Sequence, residues 1–281
     1  SGSTAMFEAR RAVSHGDCDV ALVIGVDSLT QFGGGTIPLV DDDWEISQGM
    51  TMPALYAMRA RRYMHEFGAT VEQLAKVSVK ARSHGARNPD AQFQKSVTVE
   101  EVLGSRPIAD PLTLLQCCPT GDGAAAAIIC ASDVAGRFEA EPVKILASEL
   151  CSGKFTNGFR DMTSMEIAVR GAGIAYEQAG LGPDDIDVAE VHDAFSIAEL
   201  LYYEAFGFCE RGEAVQLLES GETTIGGQIV VNPSGGLLAK GHPIGGTGVA
   251  QGVEIVRQLR GHCGDRQVEG AKVGLNHATG G

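Results

Sequence analysis

The sequence predicts a layered α/β protein in which helices and strands alternate, and three observations carry that prediction. Glycine totals 37 residues, concentrated in turns between Ala/Val-rich segments, as suits a chain whose backbones pass close together. Short apolar runs of strand length are interleaved with longer segments whose apolar positions recur at helical spacing. Residues 1–30 and 245–277 share one order: glycine-containing turn, helix, polar break, strand. Such a match gains weight if the fold is a duplicated α/β half.

Taken in order, residues 4–15 (TAMFEARRAVSH) place apolar side chains at helical spacing. The run VALVIGV within 19–27 reads as a strand covered on both faces. Residues 51–86 read as helical with an end at Gly68, and 87–120 as irregular, punctuated by Pro89, Pro107, Pro111 and Pro119. The small residues of 124–131 (AAAAIICA) suit a central strand, where bulk would block a helix packing above. Residues 143–150 form another strand, 164–180 a helix, and 186–191 (IDVAEV) a strand running into His192. Helices at 196–206 and 247–260 and a strand at 271–277 complete the map.

The 281-residue chain is 44% apolar and 21% charged, ordinary for a globular protein with a sizeable core. Its net charge of −14 argues against nucleic acid or anionic membrane as a partner over most of the surface. The densest positive region, Arg59, Arg61, Arg62, Lys76, Lys80 and Arg82, reads as a solvated helix face, the alternative being a local patch for a phosphorylated ligand. Seven cysteines in a chain this long do not make a secreted disulfide scaffold, and adjacent Cys117 and Cys118 suit neither a simple bridge nor metal spacing. Reduced thiols, no signal-peptide pattern and no apolar run of about 18 residues give the expectation of a cytoplasmic protein without a membrane span. Both ends break off abruptly, at Ser1 before a helix and at Gly281 after a strand-like run, and are expected to be truncations.

Four segments carry candidate chemistry. In NPSGGLLAKGHPIGGTG (232–248), six glycines within the last fourteen positions allow close backbone approach to a ligand, and Pro243 fixes the His242 imidazole in a rigid turn. A helix starting near Thr247 would point its positive end at this loop, where a histidine can deprotonate a thiol. The bland alternative is a glycine-rich connection. In EVHDAF (190–195), His192 and Asp193 sit at a carboxyl strand end, where open α/β sheets collect ligands. Alternatively Asp193 or Ser196 caps the 196–206 helix. In NHATGG (276–281), His277 again ends a strand before glycines, and a backbone amide of that turn can serve as an oxyanion donor; otherwise His277 satisfies local backbone groups. The paired cysteines of QCCPTGDGAAAA (116–127) read as core or loop thiols.

NPSGGLLAKGHPIGGTG resembles the thiolase signature. Together with RNPDAQFQ (87–94), LTLLQCCPTGDGAAAAI (112–128) and HDAF (192–195), it is similar to the sterol-carrier-protein-type thiolases, also known as non-specific lipid-transfer proteins and akin to acetyl-CoA acetyltransferases. The resemblance spans the whole chain. It implies a thiolase fold of duplicated halves in a five-layered αβαβα arrangement, with the N-terminal half incomplete. Residues 1–30 and 111–140 would be the remainder of that half, 31–110 a loop domain over coenzyme A, and 141–281 the C-terminal half. In the family the opening SGSTAMFEA follows a Cys and one small residue, so the nucleophile would stand two positions before Ser1 and the fragment itself would be inactive. His242 would activate that cysteine, His192 would join the oxyanion hole, and Asp193 would orient the adjacent chain. Gly241, Gly245, Gly246, Ser234 and Gly280 would contact substrate.

The sequence departs from its relatives at the second acid/base. Many of the subfamily place a Cys where Ala194 stands, and ordinary thiolases place one at the C-terminal turn, where this chain has Asn276-His277. His277 can move the same proton. The resemblance thus implies thiolytic cleavage of a 3-oxoacyl-CoA, or the reverse condensation, with coenzyme A as substrate and neither cofactor nor metal. Retro-aldol cleavage of an acyl-CoA is the enzymatic rival. The other rival is a lipid- or CoA-binding subunit of a larger complex, although a passive binder needs neither histidine. A homodimer is expected, with an accessory subunit as a further partner.

Overall fold

In the computed structural model, residues 1–33, 44–154 and 160–279 are described. Helix α1 (Gly2–His15) begins where the Ser1 hydroxyl accepts from the Thr4 amide and stops at Gly16, whose φ of 76° turns its own amide back onto the helix. Strand β1 (Val20–Ser28) and helices α2 (Trp44–Ser47), α3 (Met52–Phe67) and α4 (Val71–Gly85) follow, with Gly68 ending α3 as expected. The stretch read as irregular holds α5 (Val99–Leu103), β2 (Pro107–Ala109) and β3 (Leu112–Thr113). Its overlooked signal was the reciprocal capping box of Thr98 and Glu101. Next come β4 (Asp122–Cys130), α6 (Glu166–Ala179), β5 (Val188–Glu190), α7 (Ser196–Ala205) and α8 (Ala214–Ser220). The chain ends through β6 (Val230–Val231), α9 (Gly236–Ala239), α10 (Ile244–Leu259) and β7 (Gly274–Asn276).

Two sheets frame the molecule. β1 and β4 pair antiparallel, from Val20 opposite Cys130 to Ser28 opposite Asp122. β5 lies between β6 and β7, parallel to both. Helix α10 fills the space between the sheets, with Val249 packed against Val23 and Ile129, and Ile255 against Val188 and Val230. Helix α1 lies beside α10, so the two helix–strand units that share one order of elements pack helix to helix and send their strands into different sheets. On the far side of β5, Ala189 and Val191 join the main core with Leu200 and Leu201 of α7, Tyr56 and Tyr63 of α3, and Leu74 of α4. The described residues thus form four alternating layers. A Cβ on Gly25 would lie 2.6 Å from the Gly245 carbonyl oxygen, so β1 and the start of α10 meet backbone to backbone.

Several expectations need correction. β1 is covered on one face only: Leu22 and Val26 are each 64% exposed, and Ile24 and Ile128 lie beside them on the open side. β4 does carry a helix above its small residues, but among the described residues β1 is its one neighbour, so it is not central. Residues 143–150 form no strand, because they find no ladder partner there, and Ile145, Leu146 and Leu150 stay exposed. α10 starts at Ile244 rather than near Thr247, which puts Pro243 directly at its N-terminus. The basic segment is only in part a solvated face. α4 packs among α5, α7 and α9, so Lys80 points inward to Glu199 at 2.8 Å and Arg82 lies 3.8 Å over the Phe93 ring. Arg59 is buried as well and donates to the Met162 and Ser164 carbonyls at 2.8 and 3.2 Å. Arg61, Arg62 and Lys76 keep surface ion pairs with Asp110, Glu66 and Glu219. No helix among the described residues is long and apolar enough to cross a membrane.

Candidate active site

The site begins at the carboxyl end of β5. His192 follows two residues after the strand and is buried, with no hydrogen-bond partner for Nδ1 among the described residues. Burial drives its pKa well below the ordinary imidazole value, and the neighbouring His242, His277 and Lys240 add to the effect, so the ring is neutral at physiological pH. Asp193 does not cap α7. Its Oδ1 accepts the Leu237 amide at 2.7 Å, holding the first turn of α9. Gly236 makes that contact possible: its φ is 60°, and a Cβ there would meet Asp193 Oδ2 at 2.2 Å. Burial, then the nearby Glu199, push the Asp193 carboxyl up to about 7.

The loop that carries His242 is pinned from several sides. Glu190 accepts the Ser234 amide at 3.0 Å and its hydroxyl at 2.8 Å, and the Asn88 side chain donates to the Ser234 carbonyl at 2.8 Å. Ser234 is fully buried, so its hydroxyl shapes the loop. The amides of Gln92 and Phe93 donate to the carbonyls of Lys240 and Ala239 at 3.1 and 3.0 Å, which makes the RNPDAQFQ segment a brace for the loop. Gly241, with φ of 107°, passes so close to Gln92 that a Cβ would sit 2.9 Å from Oε1. The Gly245 amide donates to Asp27 at 3.0 Å and that of Gly246 to the Pro243 carbonyl at 2.9 Å, so these glycines supply close approach rather than free donors.

The hydrogen bonds also settle the His242 tautomer. Thr247 donates its hydroxyl hydrogen to the Pro243 carbonyl at 2.8 Å and therefore accepts from His242 Nδ1, also at 2.8 Å. Nε2 is left with a free lone pair, the form a general base needs. Burial and the Lys240 charge lower this imidazole to about 4, against a smaller opposing pull from Asp27. The rings of His192 and His242 meet edge to face with centroids 4.9 Å apart, well inside the about 12 Å that one reacting centre allows.

His277 leaves β7 on the same side. Its own amide donates to the Glu190 carbonyl at 2.8 Å, so it is not a free oxyanion donor. The ring packs on Tyr202 and Phe206 with centroids 4.5 and 5.0 Å away, and Nε2 lies 3.2 Å from the Thr279 hydroxyl. Nδ1 has no partner among the described residues, and burial lowers the imidazole to about 3. His277 and Thr279 line a large open cavity with Tyr56, Arg59 and Phe206, whereas His192 and His242 lie outside its lining. Gly280 lies outside the described residues.

Cys117 bridges to Phe195, and the Cys118 amide donates to the Ala194 carbonyl at 2.8 Å. Both thiols are raised by burial, to about 11 and about 12, which makes them poor nucleophiles. Sequence reasoning missed Lys240, Glu190 and Thr247. Lys240 carried a usable signal, a lysine directly before the Gly-His-Pro turn. The other two become legible only through their partners. Among the described residues no group of His, Cys, Asp and Glu is placed to hold a metal ion.

Comparison with known proteins matches residues 1–133 to the model of the thiolase N-terminal domain and residues 149–281 to the thiolase C-terminal domain-like model. The acetyl-CoA acetyltransferase of Methanothermobacter thermautotrophicus is 47% identical over all of this chain and 74% of its own length. The benzoylsuccinyl-CoA thiolase subunit BbsB of Thauera aromatica is 43% identical, with the same coverage of each chain. Human sterol carrier protein 2 is 39% identical over 99% of this chain, which spans 54% of that protein. Among solved structures, an Ltp2-ChsH2(DUF35) aldolase superposes with a TM-score of 0.87 at 31% identity, covering 98% of this chain and 73% of that one. Human mitochondrial 3-ketoacyl-CoA thiolase, at 18% identity and a TM-score of 0.64 over 92% of this chain and 70% of that one, shares the fold.

Proposed function

The chain belongs to the thiolase family, and from that premise we propose that it is an acyl-CoA C-acyltransferase that cleaves a 3-oxoacyl-CoA or condenses acyl-CoA units. The observation that carries the reading is the His192–His242 pair, two neutral imidazoles 4.9 Å apart with His242 Nε2 free to take a proton. His242 removes the thiol proton of a cysteine two positions before Ser1. The thiolate then attacks the 3-oxo carbon, the bond between the second and third carbons breaks, and the departing carbanion takes a proton from His277. Coenzyme A returns a proton from its thiol to His277 and attacks the acyl-enzyme, and the cysteine leaves and takes back the proton held by His242. His192 donates to the oxyanion that forms at each attack. The close packing of Gly2 at the start of α1 against Gly245 at the start of α10 supports placing the nucleophile there, beside His242 and at a helix N-terminus that favours a thiolate. In this reading residues 31–110 form the loop domain over coenzyme A, and two copies form a homodimer.

Retro-aldol cleavage of an acyl-CoA is the second reading. It is favoured by the likeness to an aldolase and by Ala194, which leaves no second catalytic thiol in the His-Asp motif. That solved structure also motivates an accessory subunit as a partner. Intact-mass spectrometry of the full natural chain after mixing with an acyl-CoA separates the two. An acyl adduct on the cysteine before Ser1, formed about 10²–10⁴-fold more slowly in His242→Ala, supports the acyltransferase. Carbon–carbon cleavage without any acylated cysteine overturns it in favour of the aldolase.

A further inference from the structure

We infer that Glu190 is a positioning residue whose side chain ties the His242 loop to the strand that delivers His192. This rests on the reading of the site proposed above. Glu190 is fully buried at the last position of β5, and its carboxyl and carbonyl groups hold different pieces of the site. Its carbonyl accepts the His277 amide at 2.8 Å. Its carboxylate takes the amide and hydroxyl of Ser234 at 3.0 and 2.8 Å, eight residues before His242. Its own strand delivers His192 two residues later. The next residue reinforces the tie, since the Val191 amide donates to the Asn232 side chain at 2.8 Å, at the start of the same loop.

The two ties differ in kind: the side chain holds the His242 loop, whereas the hold on β7 is made by a backbone carbonyl that any residue at this position would supply. Glu190 faces Glu254 from α10 and Lys240 from the loop, and Glu254 is itself held by Arg266 at 2.9 Å. A carboxylate kept in such a place, where an apolar side chain would fill the same space, argues for geometry that the site requires. Removing it frees the Ser234 anchor, and the His242 loop can then shift relative to His192, while the backbone bond to His277 persists. A misplacement of about 1 Å at a reacting centre costs about 10²-fold in rate.

The test uses the full natural chain with Glu190→Gln and Glu190→Ala. Glu190→Gln retains an acceptor for the Ser234 amide and is expected to keep kcat within about 3-fold, the worth of one rearranged neutral hydrogen bond. Glu190→Ala is expected to lower kcat about 10²-fold with KM for the acyl-CoA unchanged, and to displace the imidazole NMR signal of His242 while that of His277, held through the Glu190 backbone, stays in place. A Glu190→Ala variant that loses thermal stability but keeps kcat, or that leaves the His242 imidazole signal in place, overturns the inference. If Glu190→Ala does not fold, Ser234→Ala serves instead, with an expected loss of about 3- to 10-fold in kcat; unchanged kcat there also overturns it. The His242 imidazole signal reports on Glu190 whether or not His242 is the base, whereas His242→Ala with full activity would refute the proposed function alone.

Discussion

Replacing Thr247 by Ala tests how the base is prepared. The Thr247 side chain is 1% exposed and bridges His242 Nδ1 and the Pro243 carbonyl, each at 2.8 Å. The turn itself survives its loss, because the Thr247 amide also reaches the Pro243 carbonyl at 2.7 Å. What disappears is the acceptor that keeps the proton on Nδ1. A buried donor left unpaired costs about 1–3 kcal/mol, so the productive tautomer and ring orientation become less favourable by that amount. At 1.36 kcal/mol per tenfold, acylation of the nucleophile should slow by about 5- to 150-fold. Thr247→Ser retains the hydroxyl and should restore most of the rate. The assay is single-turnover acylation of the full natural chain, followed by quenched mass spectrometry, with thermal unfolding as a control for folding. If Thr247→Ala acylates within about 2-fold of wild type, less than the weakest loss expected, the tautomer is set by something other than this hydroxyl.

His242, lowered to about 4, should keep its base form far below the ordinary imidazole range, so the acid limb of the acylation rate should fall near pH 4; a midpoint near 6.5 would refute the burial argument. Stability should respond in the matching direction. His84 and His277, both lowered to about 3, and His242 bind protons more readily in the unfolded chain, so their contribution is present above pH 6.5 and is lost as pH falls toward the folded values. Thermal unfolding followed from pH 7 to pH 4 checks this. Lys80→Ala strands Glu199, fully buried beside Tyr203 and Asn232, and should destabilise the fold by about 3–5 kcal/mol in denaturant titration. His277→Ala should cut turnover about 10²–10⁴-fold while leaving acylation of the nucleophile by a simple acyl-CoA, which releases a thiolate rather than a carbanion, largely intact. A loss under about 3-fold, well below that range, makes His277 structural.

Elements whose signal is local were legible in the sequence. Helical spacing gave α1 and, with Gly68 as a stop, α3, and the runs ending at Asp27 and His192 gave β1 and β5. Features that depend on distant partners were not. Whether β1 is covered on one face or two depends on what lies over Leu22 and Val26, and 143–150 has strand composition but no ladder to join. The cations of α4 illustrate the same limit. Their helical spacing suits a surface face equally well, and only the arrival of Glu199 from α7, 119 residues later in the chain, turns Lys80 inward.

The candidate site divides along the same line. His192, His242 and His277 were visible because each stands at a strand end or in a glycine turn, where short-range pattern announces an exposed backbone. Their supports were invisible because they act across the fold. Asp193 shows the difference most clearly: its sequence neighbours suggest a cap for α7, yet its carboxylate turns to Leu237, on α9, where Gly236 leaves room for it. A cap seven or fewer residues away can be read from spacing, but a cap 44 residues away requires the sheet that brings β5 beside β6. That sheet also explains why His192 and His242 meet. β5 and β6 run parallel, so both chains emerge at the same edge, and the His192 turn and the loop to His242 leave that edge side by side.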